Sequence, residues 1–180
     1  MRLFTALELE SAVARKVQEL VLELKPLARI RWSPPENLHI TTKFIGEWPQ
    51  ERMGELREHM PAGAGEIDVP VSGLGFFPNE RFPRVFFAGV KSTPKLESLA
   101  KATDEAMAEL GVPPEKHPYR PHVTLARIPE SVRLHGLRDR IAQLGFVDFG
   151  GFRAREFALF ESRNSRYLRL ESFPLVRGAA

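Results

Sequence analysis

The feature that most constrains the fold is a helix-then-strand unit that occurs twice, each time ending on a strand that carries His-x-Thr. The first strand reads from Leu38 to Ile45, closes at Gly46 and holds His39-Ile40-Thr41. The second reads from His122 to Arg127 and holds His122-Val123-Thr124. Before the first, Val13, Val17, Leu20, Val21 and Leu24 recur at helical spacing, with Ser11 as the expected N-cap and Pro26 as the stop. Before the second, Leu96, Leu99, Ala100, Thr103, Met107 and Leu110 line one face of a helix from about 94 to 110, ended by Gly111. Outside the motifs the halves do not align, so the echo is structural.

The remaining segments fit around these two units. Leu3 to Leu7 reads as a strand, and Ile30-Arg31-Trp32 as a short one stopped by Pro34-Pro35. Residues 50 to 59 read as a short helix before the Pro61, Gly63 and Gly65 break. Strands at about 66–77 and 84–90 flank a hairpin loop, Pro78-Asn79-Glu80-Arg81-Phe82-Pro83. Val132 to Leu144 reads as a helix, and 152–161 and 166–173 as the last two strands. The expected fold class is α+β and bilobal, with pseudo-symmetric lobes, each an antiparallel sheet with helices, and a cleft between them. At 180 residues the chain suits one domain, 1–180, with interleaved lobes.

Composition narrows the chemistry. There is no cysteine, which excludes disulfides, thiolate catalysis and cysteine-held zinc or iron–sulfur sites. No apolar run approaches the roughly 18 to 20 residues that span a bilayer. The Met1 to Leu7 segment reads as a strand and not as a signal peptide. A cytoplasmic monomer without membrane contact is the expectation. The net charge is +3, carried by 19 Arg against 7 Lys. That fits an anionic substrate, since guanidinium forks match phosphate oxygens, and it equally fits a GC-rich or heat-adapted host.

Alternation along a strand puts His39, Thr41 and Lys43 on one face and Leu38, Ile40, Thr42 and Phe44 on the other. Likewise His122 and Thr124 share a face opposite Val123, Leu125 and Arg127. Each unsatisfied polar group buried there would cost about 1–3 kcal/mol, which favours a wet cleft. Opening a cyclic phosphate with water needs one group to take a proton and another to give one. Two imidazoles near pKa 6.5 can divide those tasks, while threonine hydroxyls donate to the non-bridging oxygens. The pattern alone leaves either histidine open to a structural role. Metal binding is a rival, but neither polar face offers a third ligand. Arg127 can serve the cleft only if its strand ends or bulges first, and otherwise makes a salt bridge at the strand end. Tyr119, Phe77 and Phe82 could stack on a nucleobase or pack in the core. His117 could line the cleft, whereas His59 and His135 read as exposed helix ends.

The long segments around the motifs resemble a known family. Arg31-Trp32-Ser33-Pro34-Pro35-Glu36-Asn37-Leu38-His39-Ile40-Thr41-Thr42-Lys43-Phe44-Ile45-Gly46-Glu47 is similar to the first signature of the two-histidine (2H) phosphoesterases. Tyr119-Arg120-Pro121-His122-Val123-Thr124-Leu125-Ala126-Arg127 is similar to the second. Pro83 to Val90 and Leu159-Phe160-Glu161-Ser162 also resemble the bacterial and archaeal RNA 2′,3′-cyclic phosphodiesterase branch, historically called 2′-5′ RNA ligase. The resemblance implies a pseudo-twofold α+β fold with neither metal nor cofactor. It implies hydrolysis of RNA 2′,3′-cyclic phosphate ends to 2′-phosphate ends, and in some members reversible, ATP-independent 2′-5′ joining of tRNA halves. The paired catalytic residues carry over to His39, read as proton donor, and His122, read as proton acceptor. Phosphate binding carries over to Thr41 and Thr124, with Arg127 and Lys43 as further contacts. Thr42 stands where the branch often has an aliphatic residue. The rivals are a 2H esterase for a small cyclic phosphate, a non-catalytic RNA-binding module, and a metal phosphoesterase.

Overall fold

A computed structural model describes residues 1–63 and 65–176; Ala64 and residues 177–180 of the expected 1–180 domain lie outside the described residues. In chain order the elements are β1 (Arg2–Glu8), α1 (Ser11–Leu24), β2 (Arg31–Trp32), β3 (His39–Glu47), α2 (Met53–Glu58), β4 (Ile67–Phe77), β5 (Val85–Val90), α3 (Pro94–Glu109), β6 (His122–Arg127), α4 (His135–Leu144), β7 (Asp148–Ala154), β8 (Glu156–Arg163) and β9 (Arg166–Pro174). The strands follow the order β7-β4-β5-β6-β3-β1-β8-β9, with β2 added beside β6, and every pairing is antiparallel. The motif strands β3 and β6 are therefore neighbours at the centre. One lobe is β7-β4-β5-β6 and the other is β3-β1-β8-β9.

Burial of the helical stripes holds each lobe. Val13, Val17, Leu20, Val21 and Leu24 of α1 are all buried, in one cluster with Leu137 of α4 and with Val69, Phe86, Val123 and Leu125 of the first lobe. Met53 and Leu56 of α2 and Met107 of α3 pack instead on Leu3, Ile45 and Leu159 of the second lobe. At about 25 cal/mol per Å² of apolar surface, each such Leu or Val contributes roughly 1.5–3 kcal/mol. The lobes are not the two halves of the sequence. The chain supplies β1 to one lobe, α1 to the other, and returns for β3.

Three boundaries differ from expectation. Ser11 is the first helical residue of α1; Glu10 holds the cap position and no side chain caps it. The last helix starts at His135 and not at Val132: Glu130 and Ser131 form a turn, with Ser131 at φ 65°, and residues 132–134 are irregular before Leu134 takes the cap position. The segment expected as one strand at 152–161 is two, parted at Arg155. There β7, paired with β4, gives way to β8, paired with β1 and β9. The chain changes lobes at that residue, and Arg155 and Glu156 are both exposed where alternation would bury one.

Among the described residues, no helix is long and apolar enough to cross a membrane.

Candidate active site

The two motifs meet at one backbone pairing, Ile40 with Val123. Because β3 and β6 run antiparallel, a local twofold passes through that pair. It sets His39 towards Thr124 and Thr41 towards His122. Ile40 and Val123 are wholly buried on the helix side, which turns both His-Thr pairs to the opposite face.

Each imidazole is held the same way. His39 Nδ1 donates to the Asn37 carbonyl at 2.6 Å, and His122 Nδ1 donates to the Arg120 carbonyl at 2.7 Å. Both carbonyls lie two residues before the histidine. A proton on Nδ1 leaves the Nε2 lone pair free on each neutral ring. Thr41 Oγ1 lies 3.0 Å from His39 Nε2 and donates to it in that state. Asn37 is itself buried, and its Nδ2 donates to the Ser165 carbonyl in the β8–β9 turn at 2.9 Å.

Aromatic rings pack around both imidazoles. Phe4, Tyr167 and Phe160 surround His39 with centroid distances of 4.9, 5.0 and 6.4 Å. Phe77 and Phe87 stand edge-on to His122 at 4.8 and 5.6 Å and stack on each other at 4.1 Å. Gly75 makes room for Phe87, since a Cβ there would meet its ring at 2.5 Å. Burial lowers His39 from 6.5 to about 4, against the Asn37 carbonyl, which favours the charged ring; the charges of His122 and Arg127 lower it further. His122 is also lowered, first by burial, against the Arg120 carbonyl, and then by Arg127.

A bulge in each motif strand decides the residues that follow. On β3 the pairing with β1 passes from Ala6–Thr41 to Thr5–Lys43, skipping Thr42. On β6 the pairing with β5 passes from Phe87–Thr124 to Phe86–Ala126, skipping Leu125. One extra residue reverses the alternation beyond it. Arg127 thereby comes to the cleft face, exposed and close enough for its charge to act on both histidines. The expected place of Lys43 in the cleft is corrected by the same geometry. Its side chain is 1% exposed and lies under the sheet, where Nζ pairs with Asp104 at 2.7 Å and donates to the Pro113 carbonyl at 3.0 Å. It fastens the loop after α3 and does not face the site. Phe44 takes the cleft position instead and is 59% exposed.

Sequence reasoning missed several residues. The carbonyls of Asn37 and Arg120 carry no side-chain signal beyond their shared offset from the histidines. Phe4, Phe160 and Tyr167 arrive from distant strands. Tyr119, which could have stacked on a base, is committed elsewhere: its hydroxyl donates to the Thr41 carbonyl at 2.9 Å, tying the approach to one motif to the strand of the other. Burial raises its pKa. Phe77 does line the site, whereas Phe82 sits on the hairpin loop, 62% exposed. His59 donates from Nδ1 to the Glu55 carbonyl of its own helix. Among the described residues, no three His, Cys, Asp or Glu side chains gather as a metal site.

The LigT-like phosphoesterase model matches residues 7–87 and 89–168, both motifs included. The chain belongs to that family. A Methanocaldococcus jannaschii relative named RNA 2′,3′-cyclic phosphodiesterase is 32% identical over 90% of this chain and 91% of its own. An Archaeoglobus fulgidus protein of the same name is 30% identical over the same shares. A crystal structure of a Thermus thermophilus protein superposes with a TM-score of 0.80 at 29% identity, covering 97% of this chain and 98% of that one. The two-lobed LigT-like fold is thus shared along nearly the whole length.

Proposed function

We propose that this LigT-like phosphoesterase hydrolyses the 2′,3′-cyclic phosphate end of RNA to a 2′-phosphomonoester. The observation that carries the reading is the Ile40–Val123 pairing, which sets two His-Thr pairs about one local twofold on one face. The related phosphodiesterases, alike over nine-tenths of the chain, support the substrate class.

In the reaction, water attacks phosphorus in line with the departing 3′ oxygen. His122 Nε2 takes the water proton as the new P–O bond forms. His39 Nε2 gives a proton to the 3′ oxygen as the old bond breaks. His122 is assigned the water because its ring is the less enclosed; His39 sits among Phe4, Phe160 and Tyr167, on the side that would hold the nucleoside. Thr41 and Thr124 donate to the non-bridging oxygens, and Arg127 offsets the phosphate charge. An anion between the rings favours imidazolium and lifts His39 from its low unliganded pKa into a range where it can serve as an acid. With a 5′-hydroxyl in place of water, the same roles would join it to a 2′,3′-cyclic end through a 2′-5′ linkage, as in tRNA halves, without ATP, and by microscopic reversibility exchanged roles would cut that linkage.

The test is turnover of a cyclic-ended oligoribonucleotide, with phosphorus NMR assigning the product as 2′-phosphate. Full activity in both His39→Ala and His122→Ala would end the proposal. Loss of activity in EDTA would turn it towards a metal enzyme. Incubation of paired tRNA halves without ATP reads the joining direction.

A further inference from the structure

Next to the histidines the structure holds a charge arrangement that folding alone does not explain. Arg31 of β2 and Arg127 of β6 are direct cross-strand partners. Like charges placed opposite each other destabilise a sheet. Both residues are exposed, and both lie on the cleft face. Trp32 packs edge-on against buried Phe86 beneath the sheet at 6.0 Å, so its neighbour Arg31 points the other way, beside its partner.

Among the described residues eight other arginines have a carboxylate partner, while exposed ones such as Arg15 and Arg29 stand without one but also without a cation set opposite them in a sheet. Arg84 meets Glu130 at 2.7 Å, Arg169 meets Glu8 at 2.8 Å, and Arg163 meets Glu161 at 2.9 Å. Among the described residues, neither Arg31 nor Arg127 lies within ion-pair distance of a carboxylate. The strand is not loosely placed. Ser33 holds it to the bulge of β6, with its backbone N–H donating to the Leu125 carbonyl at 2.8 Å and its hydroxyl to the Thr124 carbonyl at 2.9 Å. Two arginines are thus set opposite each other on a fixed stretch of backbone with no carboxylate partner among the described residues, and an anion shared between them removes the repulsion. The charge of Arg127 acts on both histidines, and Arg31 lies across from it on β2, the strand that carries no histidine. Arg31 is the outer member of the pair.

We propose that Arg31 and Arg127 clamp the phosphodiester one nucleotide upstream of the cyclic end, so that the cleft prefers an RNA strand to a cyclic mononucleotide. Arg127 stands between the two anions and Arg31 holds the outer one. The inference rests on the RNA-end reading above and adds a length preference that a small-molecule esterase would lack.

The experiment compares kcat/KM on a short cyclic-ended oligoribonucleotide and on a 2′,3′-cyclic mononucleotide, which has no upstream phosphodiester. Arg31→Ala lowers the oligonucleotide-to-mononucleotide ratio about ten-fold, as expected for loss of a charge-assisted contact. The loss falls on KM, and Arg31→Lys recovers part of it. The salt dependence of oligonucleotide binding becomes shallower by about 0.7 in log–log slope for the one phosphate contact removed. Arg15→Ala, on the exposed face of α1, leaves the ratio alone. The Tm of Arg31→Ala holds or rises, because a like charge has been removed; a purely structural role predicts a fall. Equal losses on both substrates, or an unchanged ratio, overturn the clamp. If the wild type turns over neither substrate, the RNA-end reading fails. The clamp is then judged by anisotropy of a labelled 3′-phosphate-ended oligoribonucleotide, where unweakened binding to Arg31→Ala overturns it.

Discussion

In the strand of His39 the bulge at Thr42 turns Lys43 beneath the sheet and Phe44 into the cleft; in the strand of His122 the bulge at Leu125 turns Ala126 beneath and Arg127 into the cleft. The backbone device is the same and the side chains are not. One lobe therefore presents an aromatic ring at the position where the other presents a cation. Beneath the sheet the difference is reversed: a paired lysine lies under the first strand and a plain apolar surface under the second. A twofold-related backbone thus carries a symmetric pair of histidines and threonines inside an asymmetric surround. The symmetric part suits acid and base roles on one phosphorus. The asymmetric part gives the bound strand a direction.

The largest effects should come from the symmetric part. His39→Ala and His122→Ala should each lower kcat on a cyclic-ended oligoribonucleotide by roughly 100- to 10,000-fold. The double variant should lose little more than either single one, since the two act as a unit. Tolerance of one substitution would break the equivalence. Thr41→Val and Thr124→Val should follow, at about 100-fold each in kcat. A larger loss for Thr41→Val would show that its bond to His39 also matters to the reaction.

The residues after the bulges separate stability from binding. Lys43→Met leaves Asp104 without its cation and should cost about 2 kcal/mol in denaturant unfolding. That is below the roughly 3–5 kcal/mol of a fully buried pair, because Asp104 keeps 23% of its side-chain surface in water. Arg127→Met should change stability by no more than about 0.5 kcal/mol, but should raise both imidazole pKa values by removing a nearby positive charge. Side-chain NMR titration reads both outcomes, and a destabilised Arg127→Met would contradict its placement.

The pH dependence follows from the depressed histidines. Below 6.5 the unfolded chain takes up protons that the unliganded native protein refuses, so their contribution to stability is present above 6.5 and lost as pH falls towards about 4. Sulfate, whose charge is constant over that range, favours the protonated rings. Its affinity should rise as pH falls and level off near the unliganded pKa of His39, with proton uptake visible in calorimetry. Affinity that is flat with pH would place the anion away from the histidines. The smallest contrast lies at the skipped residues. Thr42 shares a buried hydroxyl–hydroxyl bond with Thr5 at 2.7 Å, where the other lobe has Leu125 against an apolar surround. Thr42→Val should cost about 1–2 kcal/mol by orphaning Thr5, and adding Thr5→Val should restore most of it.

Much of this was legible in the residues. Helical spacing placed α1 and α3 because a buried stripe must recur every three to four positions wherever the helix docks. The doubled His-x-Thr, with its long flanking signatures, located the site because strand alternation fixes which side chains share a face. The split at Arg155 showed only as two adjacent charged residues, Arg155 and Glu156, which a single strand could carry as a local irregularity; the pairing of its halves in different lobes divides it. Ser131 gave no sign of the turn ahead of α4.

By itself the sequence determined most of the elements, the two motifs and the family, since these rest on local periodicity and on residue identity. Tertiary structure alone decided which residues join them. The fates of Lys43 and Arg127 turn on single inserted residues in the pairing of β3 with β1 and of β6 with β5. A bulge is a property of two strands in register, so neither strand's own sequence announces it. The same holds for Arg31, whose place between Ile30 and Trp32 says nothing until β2 lies beside β6 and sets it against Arg127.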